Sequence, residues 1–308
     1  MPGLLQTPSN KFSEAKFIYA LIAEFLGVML FAFAGSTTPA GDVSTQQGTD
    51  TAVEQRNSVN WAPWGNGMSL AVLIYITANI SGGHLNPAVT IATMITGHIP
   101  FLKGLAYIFV QICGACFGML MVAGLVPHSY VGMGNGGTGC FTRGIDVSMG
   151  MLFGWEAVMT FVLVSVVYAV AVGEPSFGNV GPLAVGLALF AMVFAGSQFT
   201  GTAINPARAL GPAIVFHCHW NEVWLYIIAE AVGGAIAGLL AAPLYGVGAG
   251  WLKTMLPWHK RTESPVGPNG TLVDHAPSKR ERAHNYIHKP TDSAGSPDVE
   301  RQPLETVV

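Results

Sequence analysis

Long apolar runs, broken by short polar or glycine-rich stretches, dominate this chain. A helix that crosses a bilayer needs about 20 mainly apolar residues at 1.5 Å per residue. Six runs meet or approach that length, at 17–38, 67–80, 101–126, 151–172, 181–200 and 223–247. The second is short at its polar end, where Trp61, Pro63 and Trp64 predict an interfacial belt. The first is too long for a signal-peptide core and contains Glu24, so it reads as a true span. The runs are linked by a long polar stretch (39–63), a glycine-rich stretch (132–139, GMGNGGTG) and a short one (173–180, GEPSFGNV).

Composition agrees with the pattern. Hydrophobic residues make up 51% of the 308 positions and charged residues 10%, against about 25% charged in a soluble domain. There is no basic stripe, which argues against nucleic acid as a partner. With the N-terminus inside, Lys11, Lys16, Lys103, Lys253, Lys260, Arg261, Lys279, Arg280, Arg282, Lys289 and Arg301 fall on the cytoplasmic side. Only Arg56 and Arg143 fall in outer loops, so both termini are expected to be cytoplasmic. The chain divides into an N-terminal tail (1–16), a membrane domain (17–256, with one repeat at 17–126 and a second at 151–250) and a charged, Pro- and Ser-rich tail (257–308) expected to be disordered. That tail holds the sequon at Asn269, expected to be unglycosylated, and Ser264, Ser278 and Ser296, to which no role is assigned.

The four cysteines (Cys113, Cys116, Cys140, Cys218) do not suggest a disulfide framework. Cys113 and Cys116 form a C-x-x-C inside an apolar run and read as small helix residues. Cys140 reads as an exposed thiol in an outer loop.

The decisive signal is a repeat. Residues 79–92 read NISGGHLNPAVTIA and residues 198–211 read QFTGTAINPARALG. Each is a small-residue run followed by Asn-Pro-Ala and a short apolar stretch. Each follows a span and lies too close to the next to be a full crossing. The first span of each half carries a glutamate, Glu24 or Glu156. Three spans per half force the halves into opposite orientations, an inverted repeat. Two matched Asn-Pro-Ala boxes, the second continuing to Arg208, with one Glu per half, resemble the aquaporin or major intrinsic protein family from about residue 12 to 251. The fold class expected is all-α, with six transmembrane helices plus two re-entrant half-helices. The mix of features is similar to plant or algal members.

The residues themselves explain the boxes. Bare backbone cannot sit in hydrocarbon, so a loop that dips into the membrane must be buried or line water. Pro87 and Pro206 suit the first helical position, where a missing N–H costs nothing. Half-helices are therefore expected at 86–95 and 205–215, starting near the midplane, with Gly82, Gly83 and Gly201 allowing a tight approach. Their positive N-terminal ends would meet at the centre, with Asn86 and Asn205 projecting amide donors and Ala88 and Ala207 completing the boxes. Helix capping alone would explain one Asn-Pro but not two matched ones. Glu24 and Glu156 are expected to face the interior and, by the resemblance, to accept hydrogen bonds from the loops. Glu230 departs from the family's apolar or Pro-containing stretch, and either faces an interhelical cavity or snorkels to an interface.

The resemblance also implies a constriction near the outer mouth, formed by Asn66, Val193, Thr202 and Arg208. An arginine at membrane depth points to a water-lined, functional position, a buried structural ion pair being the alternative. Strict water channels carry an aromatic on the second span and His on the fifth. Asn66 and Val193 predict a wider opening, although Asn66 also reads as an interfacial residue beside Gly65. Ala209 stands where glycerol facilitators carry Asp, which argues against that branch. The expected function is a passive channel for water and small neutral solutes (hydrogen peroxide, ammonia, urea, glycerol) that excludes protons and ions, with the family's homotetramer implied.

Rival classes leave fewer traces. A secondary transporter needs ionisable residues for ion coupling, and Arg208, Glu24, Glu156 and Glu230 are the only candidates. An enzyme needs a nucleophile with a base, or metal ligands. His84 reads as a loop-packing residue. His217 and His219, flanking Cys218, are the one H-x-H, which reads as interfacial rather than as a metal site. No cofactor is expected. Gly27 and the small-residue patches Gly114-x-x-x-Gly118 and Gly234-x-x-x-Gly238 read as close contacts within one subunit.

Overall fold

The computed structural model describes residues 8–46, 61–127, 131, 137–173 and 177–246. The expected tail at 257–308, with Asn269, Ser264, Ser278 and Ser296, lies outside the described residues, as do parts of the linking stretches. The elements are α1 (Pro8–Gln46), α2 (Ala62–Ser81), α3 (Pro87–Ile95), α4 (Phe101–Leu125), α5 (Met149–Val167), α6 (Gly181–Thr200), α7 (Pro206–Phe216) and α8 (Trp220–Leu244). The last turn of α5 widens into a π-helix at Tyr168–Val172, and a short 3₁₀ turn at Gly178–Val180 precedes α6.

Five of these segments are long and apolar enough to cross a membrane: Ala15–Thr37, Phe101–Leu125, Met149–Val172, Gly178–Thr200 and Trp220–Leu244. α2 has the length, but Asn66, Ser69, Thr77, Asn79 and Ser81 dilute its hydropathy. Polarity is inverted relative to a soluble protein. Glu24, Gln111, Glu156, Thr160 and Glu230 are buried, while Leu102, Phe109 and Phe194 face outward. That arrangement is stable only where the outside is hydrocarbon.

Three helices depart most from the bounds expected of the sequence. α1 runs beyond the apolar window at both ends, taking in Pro39 to Gln46, because hydropathy marks the membrane slab and not the end of backbone hydrogen bonding. α2 begins at Ala62 and not at 67, since Pro63 fits the first turn; Trp61 and Trp64 stay half-exposed, as a belt requires. α8 begins at Trp220 and not at 223, with Glu222 in its first turn favourably placed at the positive helix end.

Packing follows the repeat. α1 pairs with α4 and α2, and α5 pairs with α8 and α6. The half-helices cross over: α3 packs on α8 and α7 packs on α4, so each docks on the last span of the other half. Small residues make this possible. A methyl on Gly114 would stand 3.2 Å from the Met29 backbone nitrogen, and one on Gly234 would stand 2.8 Å from the Ala88 carbonyl oxygen. Both small-residue patches thus serve contacts within the chain, as does Gly27 against Leu85 and Thr77.

Candidate functional site

The two boxes adopt one backbone trace. In the first, Gly82, Gly83 and Leu85 have φ of 99°, 63° and 49°; in the second, Gly201, Thr202 and Ile204 have φ of 76°, 63° and 54°. Glycine enters this left-handed region freely, whereas β-branched Thr202 and Ile204 are strained there. Thr202 stands where the other half has Gly83, so the glycine pattern alone does not reveal the shared trace.

The buried glutamates hold that strain in place. Glu24 accepts from Ser81 Oγ (2.6 Å) and the His84 backbone N–H (3.0 Å) through Oε1, and from the Leu85 N–H (2.8 Å) and Gln111 Nε2 (2.8 Å) through Oε2. Glu156 accepts from Thr200 Oγ1 (2.6 Å) and the Ala203 N–H (3.2 Å) through Oε1, and from the Ile204 N–H (2.9 Å) through Oε2. Tyr107 and Tyr226 close each loop from behind, donating to the Ser81 and Thr200 carbonyls at 2.8 and 2.7 Å.

Asn86 and Asn205 cap α3 and α7. Asn86 Oδ1 accepts from the Ala88 N–H at 2.8 Å, and Asn205 Oδ1 from the Ala207 and Arg208 N–H groups at 3.0 and 3.3 Å. Capping and the central position are therefore one arrangement, because the same side chains also cross between the halves. Asn86 Nδ2 donates to the Ile204 carbonyl at 2.9 Å, and Asn205 Nδ2 to the Leu85 carbonyl at 2.8 Å. Each amide has two N–H bonds, so each keeps one for whatever lies beside it.

A cavity of about 20 Å³ runs past both asparagines, edged by Gly83, His84, Ala203 and Ile204 and walled by Phe31, Leu70, Ile74, Val89, Leu163 and Leu189. That is room for about one water at a time. The His84 ring stands edge-on to Tyr107 at 5.4 Å and its Nδ1 lies 3.1 Å from Thr90 Oγ1. Beyond it lies a vestibule of about 300 Å³ bordered by Asn79, Gly82, Val170 and Asn179, where the Tyr75 hydroxyl donates to the Asn179 carbonyl.

At the other end, Arg208 Nη1 donates to the Thr202 and Ala203 carbonyls at 3.0 and 3.3 Å. Its Nε, Thr202 Oγ1 and Asn66 Oδ1 are buried without a protein partner among the described residues. Asn66 Nδ2 donates to the Ala62 carbonyl at 2.8 Å, which turns Oδ1 toward Gly35. A methyl on Gly35 would overlap that oxygen and lie 3.6 Å from Arg208 Nε. Val193 is buried one turn before Gly196, the residue against which the Thr202 hydroxyl rests. No carboxylate makes an ion pair with Arg208 among the described residues.

Two aromatic residues, which the sequence did not single out, flank Arg208: the guanidinium lies 5.6 Å from the Phe31 ring and 4.8 Å from the Phe141 ring. Phe141 comes from the stretch before α5, which is fastened to the α7–α8 corner. The fastening corrects the expectation for the cysteines: Cys140 is not a free thiol but forms a disulfide with Cys218. Arg143 Nε pairs with Glu222 at 2.9 Å, and the Gly144 N–H donates to the Phe199 carbonyl at 2.8 Å. His217 and His219, at φ of 56° and 51°, form the corner itself. No group of three or more potential metal ligands gathers among the described residues. Cys113 and Cys116 remain unpaired and partly buried.

Comparison with known proteins agrees with this arrangement. The profile of the major intrinsic protein family matches residues 11–241. A probable aquaporin TIP-type of Medicago truncatula is 35% identical over 227 residues, covering 73% of this chain and 86% of that protein. Aquaporin TIP1-1 of Arabidopsis thaliana is 35% identical over 225 residues, covering 72% and 84%. The aquaglyceroporin structure from Plasmodium falciparum superposes with a TM-score of 0.60 at 24% identity, covering 75% of this chain and 99% of that one, a likeness of fold. With its inverted repeat, paired re-entrant helices and narrow central passage, the chain is a multi-pass membrane protein that belongs to the major intrinsic protein family, whose members are passive channels for water and small solutes and not enzymes.

Proposed function

We propose that this chain conducts water and small neutral solutes in single file past Asn86 and Asn205, and that Asn66, Val193, Thr202 and Arg208 select at the far constriction. The observation that carries this reading is the free amide N–H of each asparagine beside a passage one water wide. Two positive helix ends converge there, so a passing oxygen accepts from both amides while a cation or proton meets an opposing field. The unpartnered Arg208 Nε, Thr202 Oγ1 and Asn66 Oδ1 offer solutes one strong donor and two acceptors.

The absence of a bulky side chain at Val193 favours solutes larger than water, with peroxide, ammonia, urea and glycerol as candidates. Phe31 and Phe141 narrow the same region from other elements and set the upper size limit. Stopped-flow measurement on vesicles holding the purified chain tests this, with water, glycerol, urea and peroxide compared and no ion gradient imposed. Water flux equal to that of empty vesicles would end the proposal.

The disulfide supports an orientation. Such bonds persist in oxidising compartments, which supports reading the Cys140–Cys218 face as extracytoplasmic. α8 starts at that face, and Gly35, late in α1, lies beside Arg208 near it, so on this reading the start of α1 and the end of α8 point to the opposite, cytoplasmic side. A homotetramer is proposed as well. An apolar groove between α1 and α2 (Ile22, Leu26, Leu30, Leu73, Ile76) and a strip on α5 with Met151 and Val158 exposed and Trp155 half-buried offer surfaces for neighbouring subunits.

A further inference from the structure

The two halves make matching hydrogen bonds around their buried carboxylates, except at the fastening that Gln111 gives to Glu24. Ser81 and Thr200, Leu85 and Ile204, Asn86 and Asn205, and Tyr107 and Tyr226 stand at one constant sequence offset and make equivalent hydrogen bonds. One turn beyond Tyr107, Gln111 donates Nε2 to Glu24 Oε2 at 2.8 Å and lies 3.1 Å from Thr90 Oγ1. The same offset, one turn beyond Tyr226, leads to Glu230, and the counterpart of Thr90 is Ala209, which has no hydroxyl.

Glu230 is fully buried, and neither of its oxygens has a hydrogen-bond partner among the described residues. It neither snorkels nor reaches water. The groups that act on it are Glu156 of α5, Arg208 and the Asn205 backbone N–H of the second half-helix, and Tyr226 of its own helix. Two carboxylates side by side repel and cannot hydrogen-bond to each other; an acid beside a carboxylate can. Glu156 already accepts three hydrogen bonds, which favour its ionised form, and its Oε2 accepts only one of them. Glu230 accepts none within hydrogen-bond distance, and the nearby Asn205 N–H and Arg208 offset only part of the large desolvation of a charge there.

We propose that Glu230 is held as the neutral acid and donates its hydroxyl proton to Glu156, so that a shared proton fastens the second re-entrant loop where an amide fastens the first. Glu230 is thereby a positioning residue for Asn205 and Arg208, acting through Glu156. This stands whichever solutes the pore passes.

The test uses the full chain in lipid vesicles. Infrared difference spectra at neutral pH are expected to show the C=O stretch of a protonated carboxylic acid, sensitive to deuteration, that is missing in Glu230→Gln. Gln111→Glu, which builds the same pair in the other half, is expected to gain a second such band. Glu230→Gln keeps water flux, since the amide copies Gln111. Glu230→Leu, similar in size but without a donor, lowers flux per folded protein about tenfold or more, the factor that one hydrogen bond to a charged group represents. A Leu variant that fails to assemble while the Gln variant assembles and conducts supports the proposal equally, since the two differ chiefly in the polar head. Spectra of wild type and Glu230→Gln with the same carboxylic acid bands would overturn the shared proton. Wild-type flux and selectivity in Glu230→Leu would overturn the positioning role.

Discussion

Gly35 has no side chain, and the space it leaves is where Asn66 Oδ1 and Arg208 Nε both point. Gly35→Ala is expected to lower urea and glycerol flux several-fold more than water flux, with a folding penalty of about 1–3 kcal/mol from overpacking; the ratio of the two permeabilities is the measurement. Val193→His would add bulk and a second donor from α6, and it too should suppress solutes more than water. Equal losses of water and solute in both variants would remove these residues from the constriction. At this scale the sequence was most informative where chemistry is local. The Asn-Pro-Ala boxes announce their caps and first turns without reference to anything distant. Gly35 and Phe31 gave no sign, because the apolar run in which they lie has many residues of the same kind and only the partner helices distinguish them.

Helix starts were legible at Pro87 and Pro206, where proline acts on its own turn, and not at the ends of α1, where hydropathy alone marked the bounds. Joins between elements were not legible. Cys140 meets Cys218 across a separation of 78 residues, and nothing in either neighbourhood names the other. Yet that join, with Arg143–Glu222 beside it, sets Phe141 against Arg208. Removing it with Cys140→Ser and Cys218→Ser is expected to destabilise the chain by ~3 kcal/mol, read as a lower unfolding midpoint in detergent. It should also raise solute permeability relative to water, because Phe141 is no longer fixed. Phe141→Ala with the disulfide intact should reproduce the second effect without the first; a variant that shifts only stability would separate the bond from the constriction.

Across the whole molecule, the repeat made the inverted architecture readable in the sequence, but not how each half depends on the other. α3 rests on α8 and α7 on α4, and each asparagine amide bonds a carbonyl belonging to the opposite box. Neither half can therefore complete its own centre: alone, it would leave an amide donor and a strained turn facing hydrocarbon. Two fragments severed between α4 and α5 and produced together are expected to find each other in the membrane and restore water flux, while either one by itself gives none. The conduit is in that sense a dimer written on a single chain, its two protomers drifted apart in sequence but still unable to close without each other.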